Sequence, residues 1–183
     1  MIAGGRSRRR GKGLLSLASD VEGLALTEFA LVVGAVSVAL LSTVDVARYY
    51  HAKSEVENAT QMAVQLAWKS CDATKVPVTT SCPAFMTSIN AGLRSTSLGS
   101  NVILKPNFPS EGYYCLNAAG GLQLVSDISS RPADCSSVGS ASTVPVDYVQ
   151  VQTSYVYRPL FSGISVGSLL PTTITSSSMM RME

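Results

Sequence analysis

The sequence contains little of what hydrolytic or redox active sites are built from. It has one histidine, His51, and only 14% of its residues are charged. No Ser-His-Asp or Cys-His arrangement can be placed after residue 70, because that part of the chain has no histidine. It also has no Gly-rich phosphate loop, dinucleotide fingerprint or EF-hand spacing. We therefore predict that the protein is not an enzyme, with no catalytic residues, cofactor, metal or small-molecule substrate.

The positive charge of the chain is confined to its beginning. Five of the 14 basic residues lie in residues 1–23, together with two of the 12 acidic residues. The remaining nine basic and ten acidic residues leave the rest of the chain close to neutral. This distribution excludes a basic surface for nucleic acid. Because positive residues beside a membrane span stay in the cytoplasm, it predicts a cytoplasmic N-terminus and an exported remainder.

An apolar run covers residues 24–44 and contains one charge, Glu28, near its start. About 20 apolar residues suffice to cross a bilayer as a helix. A carboxylate inside such a run is energetically costly and usually marks a function. The side chains that we expect to face lipid include Phe29, Leu31, Val33, Val36, Leu40 and Leu41.

Three interpretations of this N-terminal segment compete. A secretory signal peptide could be cut near the small residues 37–39, but Glu28 is disfavoured inside its apolar region and the cut would remove the anchor. An uncleaved anchor would leave Glu28 as a partly hydrated carboxylate at the start of a helix. The third interpretation depends on Gly23. Cleavage of the Gly23–Leu24 bond would make Glu28 the fifth residue of the mature chain.

No glycine or proline interrupts residues 35–70, so we predict one helix over residues 24–70. Its second half, residues 45–70, carries apolar side chains spaced by three and four residues, which is one face of a helix. We name this set the helix stripe, and expect it to pack on the chain's own sheet, or on another subunit through its small residues. The helix stripe consists of Tyr49, Ala52, Val56, Ala59, Ala63 and Leu66.

Residues 71–183 are predicted to form an exported domain. A recurrence of apolar residues every four positions at Phe85, Ile89 and Leu93 indicates a short helix, whereas residues 72–80 read as loop. Strands are predicted at residues 102–104, 113–116, 122–125, 146–158 and 172–182, the fourth from a strict alternation of apolar and polar residues. Residues 159–171 are too long for a tight hairpin and would either cover the core or form an exposed apolar contact. The predicted fold class is α+β, a long transmembrane and amphipathic helix packed on a small antiparallel sheet.

The chain has four cysteines, and all of them follow the apolar run. An even number in a small exported domain favours disulfides. Three pairings are possible, and the two short loops of Cys71–Cys82 and Cys115–Cys135 have the lowest closure entropy. Zinc is the competing interpretation, but the sequence has no C-x-x-C motif.

The residues around Gly23 resemble the TadE-like family, which contains pseudopilins of the tight-adherence (Flp-type) pilus system. The resemblance rests on the Arg-rich leader, Gly23, the run Glu28-Phe29-Ala30-Leu31 and the segment around Asn58 that follows the membrane span. The alternating strand and the closing residues 180–183 also look alike. It covers residues 19–70 best.

The resemblance implies a function and its partners. A prepilin peptidase would remove residues 1–23, and the new Leu24 ammonium would pair with the Glu28 carboxylate of a neighbouring subunit. The protein would act as a minor pilin or pseudopilin in pilus assembly and cell adhesion, with an inner-membrane platform and other pilin-like subunits as partners. It would cross the bacterial inner membrane once, with its C-terminal domain in the periplasm. The alternative is an uncleaved, membrane-anchored periplasmic binding module.

Overall fold

The structure, a computed structural model, describes residues 21–72 and 75–182. The predicted leader, residues 1–23, lies outside the described residues except for its last three positions. Helix α1 runs from Val21 to Ser70 and has 50 residues, so that it is about 75 Å long. One continuous helix through the end of the apolar run is therefore confirmed, although it begins three residues before the predicted start at Leu24.

Two shorter helices follow α1. Helix α2 covers Val78–Ser81 and helix α3 covers Phe85–Leu93. The position of α3 agrees with the spacing of its apolar residues. The interpretation of residues 72–80 as loop was wrong at α2, because the Glu111 side chain accepts hydrogen bonds from the Val78 N–H (2.6 Å) and the Thr79 N–H (2.8 Å). These two amides lie in the first turn of α2, where a helix lacks its own acceptors.

Within residues 21–72 and 75–182, five strands form one antiparallel sheet. They are β1 (Ile103–Leu104), β2 (Ser110–Leu116), β3 (Leu122–Asp127), β4 (Val146–Val156) and β5 (Thr173–Arg181). β4 is central: β5 pairs along one of its edges from Tyr148 to Val156, while β1 and β2 share the other, and β3 extends the sheet beyond β2. All five predicted strands are present, and the antiparallel α+β class is confirmed.

The core lies between residues 45–70 of α1, helix α3 and one face of the sheet. Side chains of β4 alternate between buried and half-buried as far as Thr153, as its period-two pattern predicts. The hydroxyls of Thr60 on α1 and Thr153 on β4 lie 2.6 Å apart and are fully buried. A hydrogen bond between them fixes the helix to the sheet at a defined register. The apolar core around it consists mainly of Val56, Ala59, Ala63, Val64, Phe85, Ile89, Val149, Val151 and Ile174.

Candidate functional site: the apolar half of the helix and its junction with the domain

The first half of α1 stands clear of the domain. Its large apolar side chains are exposed, from Leu24 at 63% to Val44 at 44%, except for the half-buried Leu41. Within the described residues, α1 is the one helix that is long and apolar enough to cross a membrane. Residues 24–44 measure about 31 Å along the helix axis, which matches the hydrocarbon core of a bilayer. The side chains predicted to face lipid lie in this half, namely Phe29, Leu31, Val33, Val36, Leu40 and Leu41.

Hydroxyl groups in this half bond mostly to their own helix. Thr27, Ser37 and Thr43 donate to the carbonyl oxygens of Leu24, Val33 and Ala39 at 2.7–2.9 Å. Such bonds to a preceding turn satisfy a hydroxyl in a setting without water.

Glu28 is the exception in this half of the helix. Its side chain is exposed, and none of the hydrogen bonds or ion pairs among the described residues involves it. A carboxylate accepts several hydrogen bonds and has no donor of its own when ionised. Once the helix is in a membrane, Glu28 therefore needs a donor or a cation that the described part of the chain does not supply.

Gly23 and Leu24 lie in the first turn of α1. A Cβ atom built on Gly23 would meet nothing within 4 Å, and both residues are exposed. Glycine is a weak helix former. The backbone at Gly23 is therefore less strongly helical than residues 35–70, which contain no glycine.

The helix stripe is used inside the chain. Val56, Ala59 and Ala63 are completely buried, and Ala52 nearly so. Tyr49 and Leu66, at the two ends of the helix stripe, are half-buried. Thr60, Val64 and Ala67 are buried beside them although the spacing rule omitted them. The stripe thus packs on α3 and the sheet of the same chain, the first of its two predicted roles.

Asp45 marks the junction between the two halves of α1, and sequence analysis missed its role. Its side chain is fully buried. Oδ1 accepts a hydrogen bond from the Leu160 N–H at 2.9 Å, and Oδ2 accepts from the Phe161 N–H at 3.2 Å and from the Ser165 hydroxyl. A carboxylate at the end of the apolar run therefore holds the 159–171 loop against the helix.

Two further contacts complete this junction. The Tyr157 hydroxyl donates to the Asp45 carbonyl oxygen at 2.8 Å. Gly167 packs so closely that a Cβ atom there would lie 2.6 Å from Asp45 Oδ2. The backbone of the 159–171 loop reaches the carboxylate only because residue 167 has no side chain. The sequence contains two features that could have suggested this contact. One is an aspartate directly after an apolar run, and the other is a long Gly-containing loop before the last strand.

The electrostatics of the junction follow from its hydrogen bonds. The Ser165 hydroxyl lowers the pKa of Asp45, burial opposes that shift, and the amides of Leu160 and Phe161 and the charge of Arg48 lower the pKa further. The net direction is downward, so Asp45 is ionised at neutral pH. Burial raises the pKa of Tyr157, and the Asp45 charge adds to the increase. Tyr157 therefore remains a protonated donor.

Other carboxylates also serve as acceptors for backbone groups. Glu55 on α1 accepts from the N–H and the hydroxyl of Ser97, both at 2.9 Å, and these bonds lower its pKa. Asp134 accepts from the Ser136 N–H at 2.9 Å, and the bonds to Ser136 lower its pKa as well. These groups fix loops to the fold.

Both predicted disulfides are present. Cys71–Cys82 joins the end of α1 to the segment before α3, with a Cα–Cα distance of 5.6 Å. Cys115–Cys135 joins β2 to the polar loop after β3, with a Cα–Cα distance of 5.8 Å. Loops of this length contribute about 3 kcal/mol each when they are closed. The two disulfides therefore cross-link the domain that follows α1.

Comparison with protein families agrees with the geometry of α1. Residues 23–65 match the model of the family described as TadE-like protein. This segment is TadE-like. The resemblance stated from the sequence is thereby confirmed over these residues, which begin at Gly23 and include Glu28, Asp45 and most of the helix stripe. The match points to a minor-pilin-like protein associated with the tight-adherence pilus.

The TadE-like match ends inside α1. The alternating strand and the closing residues, which also looked alike, lie outside it. No curated protein and no solved structure matches the chain.

Proposed function

We propose that this chain is a pseudopilin or minor-pilin-like structural subunit required for assembly of a tight-adherence pilus, and that it is not an enzyme. In this proposal a prepilin peptidase cuts the Gly23–Leu24 bond on the cytoplasmic side of the inner membrane. The exported domain then stands in the periplasm on the outer half of α1. The observation that carries the proposal is Glu28, an ionisable side chain that has no partner among the described residues and lies in an exposed apolar helix, five residues after an exposed glycine.

The chemistry of a partner for Glu28 follows from its surroundings. Cleavage would create an ammonium at Leu24, one helical turn from Glu28. Opposite charges attract several times more strongly in a low-dielectric setting than in water, and each charge alone is costly there. A neighbouring subunit that brings its Leu24 ammonium to this Glu28 removes both costs at once. The pair would thus favour assembly in one axial register.

The partners follow from the same proposal. The peptidase, the inner-membrane platform and other pilin-like subunits would contact residues 24–44. This half of α1 is free for that purpose because it makes few contacts with its own domain, whereas the helix stripe is buried. Cell adhesion would be an indirect consequence of pilus assembly.

Processing is tested by intact mass and N-terminal sequencing of the full chain from cells with and without the peptidase. We expect Leu24 as the first residue only when the peptidase is active. Gly23→Leu should block the cut because a large side chain occupies the space beside the bond. Gly34→Leu is the matched control, since a Cβ at Gly34 also meets nothing within 4 Å. Recovery of Met1 in cells with an active peptidase contradicts the proposal.

The role of Glu28 is tested by counting surface pili in cells that carry variants. Glu28→Ala and Glu28→Gln should both reduce pilus number strongly, because each removes the charge. Thr27→Val is the control, since Thr27 bonds to its own helix. Normal piliation with processed Glu28→Ala protein would refute the charge pair.

One observation favours a second candidate function. Helix α1 is continuous across Gly23–Leu24, as expected of an uncleaved anchor that presents a periplasmic binding module. The mass measurement separates the two, because an anchor of this kind keeps residues 1–23 in every strain.

A further inference from the structure

The 159–171 loop keeps large apolar side chains in solvent although it is firmly held at both ends. Leu160 is 58% exposed, Ile164 61%, Val166 47% and Leu169 84%. Polar groups of the same loop face the helix instead, through the bonds to Asp45. The large apolar side chains of the loop therefore point away from the rest of the protein.

The depth of this loop along α1 is fixed by two contacts. The Val166 N–H donates to the Ser42 hydroxyl at 3.3 Å, and the Leu160 N–H donates to Asp45 at 2.9 Å. Ser42 and Asp45 stand on either side of Val44, where the apolar run ends. The exposed apolar side chains thus lie at the level where a membrane spanned by residues 24–44 would end, and they continue the exposed apolar surface of that segment.

Basic side chains lie just beyond this level. Arg48 and Arg158 are exposed and line an open cleft of about 530 Å³. No aspartate or glutamate is among the described residues that line this cleft. Arg48 is four residues after Val44, which is about 6 Å further along the helix axis. Lipid phosphates lie in the layer directly outside the hydrocarbon core, and basic residues at that depth attract anionic lipids.

We propose that the 159–171 loop is a membrane-binding element that lies in the interface of the leaflet on the domain side. Ile164, Val166 and Leu169 contact acyl chains, and Arg48 and Arg158 face lipid phosphates. An apolar surface beside basic residues is the chemistry of interfacial membrane segments. The loop would fix the tilt and rotation of the domain on the bilayer. This inference uses only the membrane span of the proposed function, and needs neither cleavage nor entry into a filament.

Tryptophan quenching by brominated lipid tests the assignment. The full chain is reconstituted in vesicles of phosphatidylcholine and phosphatidylglycerol, with or without phosphatidylcholine brominated near the headgroup end of its acyl chains. Leu169→Trp and, separately, Ile164→Trp are made in a Trp68→Phe background, which removes the single native tryptophan. Both positions are exposed, so the new side chain is not forced into the core.

Two control positions bracket the measurement. Phe29→Trp reports on insertion of the span itself. Leu116→Trp reports on the end of the sheet that lies far from the junction. Leu116 is 56% exposed. Its strand β2 pairs with the Val146 end of β4, whereas Tyr157, which contacts Asp45, follows the other end of β4.

We expect Phe29→Trp, Leu169→Trp and Ile164→Trp to lose most of their emission in brominated vesicles, and Leu116→Trp to lose none. Quenching at position 29 without quenching at 164 or 169 overturns the inference and leaves the membrane span intact. Emission at 169 that changes with protein density but not with bromination overturns it as well, because a second copy of the chain then covers the loop.

Discussion

Replacement of Gly92 by alanine tests how closely α3 packs on α1. A Cβ atom at Gly92 would lie 2.3 Å from the Ala63 Cα and 2.5 Å from the Ala63 N. Both atoms belong to the backbone of α1, so no side chain can rotate away. Ordinary contact begins near 3.4 Å, which means that α3 must move outward by at least about 1 Å.

The magnitude follows from the side chains that this movement uncovers. Phe85, Ile89 and Leu93 of α3 are buried, and each contributes about 2 kcal/mol by burial. A gap of about 1 Å forfeits a quarter to a half of the contact energy, or roughly 1.5–3 kcal/mol for the three. Alanine in place of glycine in a helix returns about 1 kcal/mol. We expect Gly92→Ala to lower the free energy of unfolding by roughly 0.5–2 kcal/mol net.

The assay is urea unfolding of the full chain in detergent, followed by circular dichroism with the disulfides intact. The expected loss lowers the urea midpoint by about 1 M. Ala91→Gly is the matched control, because Ala91 is the exposed neighbour on the same helix and reports helix propensity alone, a loss of about 1 kcal/mol. If Gly92→Ala stabilises the protein by the same amount, α3 does not approach α1 as described and the reasoning is refuted.

Two further predictions concern the polar contacts of α1. Thr60→Val and Thr153→Val should each cost about 1–3 kcal/mol by leaving the other buried hydroxyl without this partner. The double variant should cost less than the sum in a denaturation cycle, and strict additivity would mean that the two hydroxyls do not interact. The lowered pKa of Asp45 stabilises its charged form in the folded chain, so its contribution is complete above the unfolded pKa of about 3.9 and is lost as the pH falls through the folded pKa. Hydrogen-exchange protection of the Leu160 and Phe161 amides should therefore persist at neutral pH and be lost only in acid below the ordinary carboxyl pKa of about 3.9, and protection that is unchanged in strong acid would contradict this role.

Much of the fold could be predicted because its determinants are local in sequence. The absence of glycine and proline from residues 35–70 accounts for the uninterrupted length of α1 there, and the alternation in β4 places its buried face. The short cysteine spacings similarly favour the pairing that the structure shows.

The features that sequence analysis missed depend on partners that are distant along the chain. Helix α2 forms where Glu111 accepts from its first amides, and these residues are more than 30 positions apart. In the sequence, Asp45 is one polar residue after an apolar run. Its partners, the amides of Leu160 and Phe161, are more than 100 residues away and cannot be inferred from its sequence neighbours. Gly92 and Gly167 belong to no periodic pattern. That these positions have no room for a side chain can be seen only when a second element lies against them.

The division of α1 into two halves restricts how subunits of this kind can contact each other. The small residues that would allow close helix packing, Ala59 and Ala63, are already buried by the chain's own domain, so they have no surface left for a neighbour. In residues 45–70, a second subunit can meet α1 on its other face, where Tyr50 and Trp68 are 62% and 47% exposed. In residues 24–44 all side chains are exposed except Leu41 and Ser42, which are half-buried. Because lipid is as apolar as the helix, apolar packing alone does not select one register there. An assembly with a defined register therefore needs a polar contact in the apolar half, and Glu28 is the one charged side chain in residues 24–44 that can supply it.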